Sequence, residues 1–265
     1  MYLQQIVASK KLELAQKKDQ EDSTEDLLER ANRLPPPRCF KSALTAESGP
    51  AIIAEIKRAS PSKGTLSSHL CPKATARKYQ QGGASAISVL TEQKHFQGSL
   101  RDLKDAQEAV DLPILRKDFI FDPRQVVESR LVGADALLLI AGILSPFQLR
   151  ELITLAENLG MQCLVETATP VELDQAVKAG GKIIGINNRS LQTFHTDLTR
   201  SFQLASQAPP GTILVAESGI SHYWQIKELH QLGFKAALVG EALICTSSPE
   251  QKLRELRGVE YAGQG

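Results

Sequence analysis

Residues 50–64 read Pro50-Ala51-Ile52-Ile53-Ala54-Glu55-Ile56-Lys57-Arg58-Ala59-Ser60-Pro61-Ser62-Lys63-Gly64. An apolar run, Ile52–Ile56, rich in β-branched side chains, gives way to charge and then to a Pro/Ser/Gly loop. Such a run reads as a strand buried on both faces that delivers polar groups to the loop at its C-terminal end. The pattern recurs at Ser85–Leu90, Pro113–Arg116, Ala136–Ile140, Gln162–Val165, Ile183–Ile186, Ile213–Ala216 and Ala236–Val239, with starts roughly 20 to 35 residues apart. Helix-like stretches lie between the runs, among them Arg124–Leu131, Pro146–Leu159, Val171–Ala179 and Trp224–Leu232. Strands alternating with helices predict a parallel sheet. Eight such units predict an α/β fold of the (β/α)8, or TIM, barrel type. An open doubly wound sheet is the competitor, and it would more often carry a Gly-rich first loop, which this chain lacks.

Residues 1–50 stand outside this rhythm. Leu3, Ile6, Val7, Leu12, Leu14 and Ala15, then Leu27, Leu28 and Ala31, recur at helical intervals among charges, and Pro35-Pro36-Pro37 forbids continuation. The expected organisation is an N-terminal helical extension, 1–50, followed by a single catalytic barrel, 51–265. The extension is read either as a helix packed on the barrel surface or as a lid that helps close a site.

Composition excludes several function classes. The 265 residues carry 31 Lys plus Arg against 30 Asp plus Glu, so no net field gathers nucleic acid or an anionic membrane surface. No apolar run approaches a membrane span, and the N-terminus lacks the apolar block of a secretory signal. Cys39, Cys71, Cys163 and Cys245 are scattered, which fits a reducing cytoplasm. The histidines show no metal-binding spacing, and neither dinucleotide nor P-loop motif is present. No metal and no cofactor are expected.

A barrel enzyme places its chemistry where strands end. Here those ends carry Glu55 and Lys57, Thr91-Glu92, Arg116-Lys117-Asp118, Glu166, Asn187-Asn188-Arg189, Glu217-Ser218-Gly219 and Gly240-Glu241. Side chains alternate along a strand, so Glu55 and Lys57 share a face. One such pair is equally well a structural ion pair, but ionisable residues at several strand ends favour a site. Ser218-Gly219 and Gly240 follow the seventh and eighth strands, where barrels often bind phosphate on loop amides. Lys57 or Lys63 would add a direct charge. Phe96, Phe119, Leu138 and Leu191 fall near the mouth as candidates for an apolar wall, with Leu138 read as ordinary core.

These segments carry a resemblance. Glu55-Ile56-Lys57-Arg58-Ala59-Ser60-Pro61-Ser62-Lys63-Gly64, Leu115-Arg116-Lys117-Asp118-Phe119-Ile120 and Gly185-Ile186-Asn187-Asn188-Arg189, in that order, resemble the indole-3-glycerol phosphate synthase family of tryptophan biosynthesis. The resemblance implies a carboxy-lyase that closes, decarboxylates and dehydrates 1-(2-carboxyphenylamino)-1-deoxyribulose 5-phosphate. It implies Lys117 as general acid in ring closure and Glu166 as the opposing acid/base carboxylate. Lys57 and Glu55 would assist dehydration and hold the substrate. Asn187 and Arg189 would hold hydroxyl and carboxylate groups, and Ser60 would lie near the anthranilate carboxylate. Ser218, Gly219, Gly240 and Glu241 would form the phosphate cradle, and Phe96, Phe119 and Leu191 would border the substrate.

Two departures from the family pattern stand out. Glu241 occupies a position where some members have Ser, so its backbone N–H is expected to serve phosphate with the side chain turned away. His95 stands where Tyr is common. Burial and neighbouring cations are expected to lower the Lys117 pKa, with Arg189 and Arg116 as candidate neighbours and an outward-facing Arg116 as the alternative. The length leaves room for one barrel, so no fusion to the preceding isomerase is expected. The expected partner is a small phosphosugar substrate, and the expected state is a monomer, with a weak homodimer as the alternative. The rival functions are phosphoribosylanthranilate isomerase, whose Cys/Asp pair no strand end supplies, and a non-catalytic phosphate-ligand barrel.

Overall fold

The structure, a computed structural model, describes residues 2–17, 23–46, 49–61, 63–190 and 195–259. Eight parallel strands close into a barrel in chain order: β1 (Ala51–Ile56), β2 (Ala86–Leu90), β3 (Ile114–Lys117), β4 (Ala136–Ile140), β5 (Gln162–Thr167), β6 (Ile183–Asn187), β7 (Ile213–Glu217) and β8 (Ala236–Val239). The barrel is the TIM fold that the recurring runs predict. β8 returns to β1 with Ala51 opposite Ala236 and Ile53 opposite Leu238.

The extension holds α1 (Tyr2–Lys17), α2 (Thr24–Asn32) and α3 (Phe40–Thr45). The helices after it are α4 (Pro72–Gln81), α5 (Leu100–Gln107), α6 (Pro123–Leu131), α7 (Pro146–Asn158), α8 (Pro170–Lys178), α9 (Thr199–Ala205), α10 (Tyr223–Gln231), α11 (Glu241–Ile244) and α12 (Pro249–Leu256). Proline opens α4, α6, α7, α8 and α12, where a missing N–H costs nothing because the first turn has no acceptor for it. Asp122 and Ser145 cap α6 and α7 with reciprocal Gln125 and Gln148.

Strand alternation sorts the apolar residues into two cores. Ile52, Ala54, Ile56, Ile87, Val89, Leu137, Leu139, Ile184 and Ile186 face outward, among the apolar residues of the surrounding helices. Ile53, Leu115, Leu138, Leu164, Ile183, Val215 and Leu238 face inward and fill the barrel. Continuing each inward series towards the strand ends reaches Glu55, Lys117, Glu166, Asn187 and Glu217.

The extension divides between the two ends of the barrel. Phe40 and Leu44 of α3 belong to the inward core and pack on β1 and β2. Burying one such side chain contributes about 1.5–3 kcal/mol. Before α3, the Arg38 backbone N–H donates to Asp135 at 2.7 Å and its guanidinium donates to the Leu112 carbonyl at 2.6 Å. Both partners precede strands, so residues 38–45 cover the end of the barrel where strands begin. α2 packs on α6. Ile6 of α1 joins the inward core at the opposite end, beside Phe119 and Ile140.

Candidate active site

The strand ends and their loops enclose a cavity of about 580 Å³. Its wall includes Leu3 and Ile6 from α1, Glu55, Lys57, Ser60 and Lys63 from the first strand and loop, Lys117, Glu166, Asn187, Arg189, Glu217, Ser218, Gly219, Gly240 and Glu241. Every site residue expected from sequence lies on this wall except Leu191, which lies outside the described residues.

Lys117 occupies the centre. Its Nζ donates to Glu166 Oε2 at 3.2 Å and to Glu217 Oε2 at 3.0 Å. Burial pulls its pKa down, but Glu217, Glu166 and Glu55 outweigh that effect and hold the ammonium well above the ordinary lysine range. This corrects the lowered value expected from neighbouring cations. Arg116 cannot act on it as supposed, because alternation sends its guanidinium outward to Asp118, Ser129 and Glu128 at 2.8–3.1 Å.

Burial pushes the Glu217 carboxyl up to about 7, Lys117 opposes this, and Glu166 and Glu55 add to it. Its second oxygen, Oε1, is buried and has no hydrogen-bond partner. That oxygen fits because residue 185 is glycine; a Cβ there would collide with it. Sequence reasoning left Glu217 out of the candidate list, although the alternation applied to Glu55 and Lys57 also places it inward, two residues after Val215.

Glu166 is held from its other side. Asn187 Nδ2 donates to Glu166 Oε1 at 3.0 Å, while Asn187 Oδ1 accepts from Ser218 Oγ at 2.9 Å and from the Arg189 backbone N–H at 3.0 Å. Ser218 adopts a left-handed conformation, φ 66°, unusual for a residue with a Cβ, and so aims its hydroxyl at Asn187. Gly219 follows at φ 80°, where a Cβ would also strike Thr196. Lys57 Nζ lies 2.6 Å from Glu55 Oε1. A Cβ at Gly240 would collide with both groups, so this glycine makes room for the ion pair as well as opening the loop.

Phe96 and Phe119 form the apolar side, with ring centroids 6.2 Å apart. The buried Glu92 carboxylate accepts from the backbone N–H of Lys94, His95 and Phe96, which orders the loop carrying Phe96. Leu138, read as ordinary core, is 2% exposed and also borders the cavity. The Glu241 side chain does not turn away from the site. It lies 3.3 Å from Lys63 Nζ and 3.5 Å from an Arg189 terminal nitrogen.

A family model described as indole-3-glycerol phosphate synthase matches residues 3–256. The chain belongs to the indole-3-glycerol phosphate synthase family. Relatives with that name include one from Dehalococcoides mccartyi strain CBDB1, 53% identical over 77% of this chain and 80% of its own. Another, from Desulfotalea psychrophila, is 44% identical over 96% of this chain and 97% of its own. Solved structures of similar fold include 3-hexulose-6-phosphate synthase from Salmonella typhimurium, with TM-score 0.63 and 14% identity over 80% of this chain and 99% of that one. A mutant tryptophan synthase alpha-subunit from Pyrococcus furiosus has TM-score 0.59 and 14% identity, covering 78% and 98%. At such identities these two report the barrel alone.

Within the indole-3-glycerol phosphate synthase family frame, the apolar rings, the central lysine and the loops after β7 and β8 share one cavity. That combination can seat an aromatic group, donate a proton beside it and hold an anion farther on. No helix among the described residues is long and apolar enough to cross a membrane.

Proposed function

We propose that the chain converts 1-(2-carboxyphenylamino)-1-deoxyribulose 5-phosphate to indole-3-glycerol phosphate with Lys117 as the central acid. The family makes the chain a carboxy-lyase of tryptophan biosynthesis. The supporting observation is the Lys117 ammonium between Glu166 and Glu217, at 3.2 and 3.0 Å, in a cavity that also holds Phe96 and Phe119.

The ring carbon bearing the carboxylate attacks the ribulose carbonyl, and Lys117 gives its proton to the developing oxyanion. Carbon dioxide then leaves and returns its bonding electrons to the ring. The new hydroxyl departs as water after protonation, as a base removes the ring-closing carbon's neighbouring proton. Glu166, fixed by Asn187, serves these proton transfers with Lys57 and Glu55. General acid–base steps of this kind are each worth roughly 10²–10⁴-fold. Glu217 joins the list as the carboxylate that keeps Lys117 protonated until substrate arrives.

Arg189 and Ser60 address the anthranilate carboxylate, and Phe96, Phe119 and Leu191 wall its ring. The phosphate rests on the loops carrying Ser218-Gly219 and Gly240-Glu241. α1 acts as a lid, with Leu3 and Ile6 on the cavity wall. We take the protein to work as a cytoplasmic monomer.

The deciding experiment supplies the purified chain with this substrate and follows indole absorbance and fluorescence. Stoichiometric indole-3-glycerol phosphate is expected. Turnover of phosphoribosylanthranilate instead, or binding without turnover, would replace this reading with one of its rivals.

A further inference from the structure

The cations facing the cavity already have acidic partners. Its wall carries Lys57, Lys63, Lys117 and Arg189, and among them the carboxyl groups of Glu55, Glu166, Glu217 and Glu241. Asp118 also borders the cavity, but its carboxylate accepts from Arg116 and Lys10 on the far side. A phosphorylated, carboxylated substrate therefore enters a site whose cations are already paired, and each ionised internal carboxylate competes with it for a cation.

The four carboxylates are not equally committed. Glu55, Glu166 and Glu217 have side chains 4%, 6% and 2% exposed and approach their lysines at 2.6–3.2 Å. Glu241 is 37% exposed, and its partners lie at 3.3 and 3.5 Å. An ion pair this open is weak, because water screens it and two long side chains lose freedom to form it. Its two cations come from different loops, Lys63 after β1 and Arg189 after β6. Its own backbone opens α11, next to the Gly240 turn assigned above to phosphate.

We infer that Glu241 is a displaceable internal anion, which bridges Lys63 and Arg189 across the mouth and must release them when the substrate's anionic groups arrive. It is a specificity-determining residue acting by competition. While bound to both cations it holds two loops together. Once substrate enters, its carboxylate stands beside the phosphate as a like charge, which opposes binding. This inference rests on the phosphosugar reading of the site.

The test titrates inorganic phosphate, then product, into the intact parent and into Glu241→Gln by calorimetry. Removing the charge while keeping the shape should tighten inorganic phosphate by roughly three- to tenfold, up to about 1.4 kcal/mol. Adding Lys63→Met to Glu241→Gln should forfeit most of the gain, because the freed lysine is its source. An unchanged or weaker dissociation constant for phosphate in Glu241→Gln would overturn the inference, as would a gain that survives Lys63→Met intact. The parent's turnover of the phosphosugar is read separately. If that turnover is absent, the functional reading fails, while the phosphate titration still decides the role of Glu241.

Discussion

Three consecutive residues, Arg116, Lys117 and Asp118, build two charge clusters of opposite character on the two sides of one strand end. Outside the barrel, Asp118 accepts from Arg116, Lys10, Thr91 and the Phe119 backbone N–H at 2.7–3.2 Å. Burial pushes the Asp118 carboxyl up, but Arg116 and Lys10 outweigh it and hold the pKa below the ordinary range. Inside, Lys117 faces Glu55, Glu166 and Glu217, and one Glu217 oxygen has no partner. A structural cluster spends every donor and acceptor on itself. A reactive one keeps groups unsatisfied, at a cost in stability, so that a substrate can complete it. α1 reaches both sides, with Ile6 in the inner apolar core and Lys10 on Asp118.

If the contrast is real, the two sides respond differently to substitution. The largest effect is expected inside. Lys117→Ala should lower kcat by roughly 10²–10⁴-fold through loss of a proton donor used in the transition state. Steady-state rates within about threefold of the parent would break the comparison at its centre.

Outside, Asp118→Ala should act on stability. It removes the buried carboxylate that Arg116 and Lys10 share, leaving Arg116 with Glu128 at 2.8 Å and Lys10 with Glu13 at 3.6 Å, and removing one partner of a buried pair costs up to about 3–5 kcal/mol. Urea unfolding measures this, and a loss below about 1 kcal/mol would deny the cluster its structural role.

A chain beginning at Ser23 removes α1 but keeps α3 beneath the barrel. We expect KM to rise by roughly three- to tenfold, because an open mouth admits water that weakens every charge interaction inside. A chain beginning at Gly49 also loses Phe40 and Leu44, and should fold poorly for a separate reason. Unchanged KM in the first chain would reduce α1 to a brace for the outer cluster.

A separate effect concerns pH. Glu217 rises from an ordinary 4.5 to about 7 on folding, so between these values the folded state binds more protons than the unfolded one. Stability from this group is therefore full below about pH 4.5 and declines as pH rises through 7. Glu217→Gln should flatten the fall in unfolding free energy between pH 5 and pH 8, by on the order of 1–3 kcal/mol. Equal falls in parent and variant would show that another group sets the slope.

Much of this was legible in the amino acids. All eight strands fall within two residues of the runs that announced them, because strands buried on both faces need continuous apolar sequence. That Lys117 and Glu166 face the cavity follows from the phase of their strands, while the roles proposed for them come from the family pattern. Glu217 is legible by the same phase, two residues after the inward Val215. The same alternation shows that Arg116 cannot face Lys117. The placement of Phe40 and Leu44 was not legible: a six-residue helix after three prolines says nothing about which end of a barrel it will close. The Glu241 contacts were equally hidden, since Lys63 and Arg189 meet it only through loops brought together by the closed barrel.

One consequence of the alternation in β3 concerns the chain's tolerance of insertions and deletions. Side chains on a strand have a period of two, so a shift of one residue exchanges the faces. Deleting a single residue between Ile114 and Arg116 would turn Lys117 towards the helices and carry its neighbours into the barrel. The proton donor and its structural neighbours would then trade places while composition hardly changed. Length is therefore as strictly fixed in this segment as chemical identity.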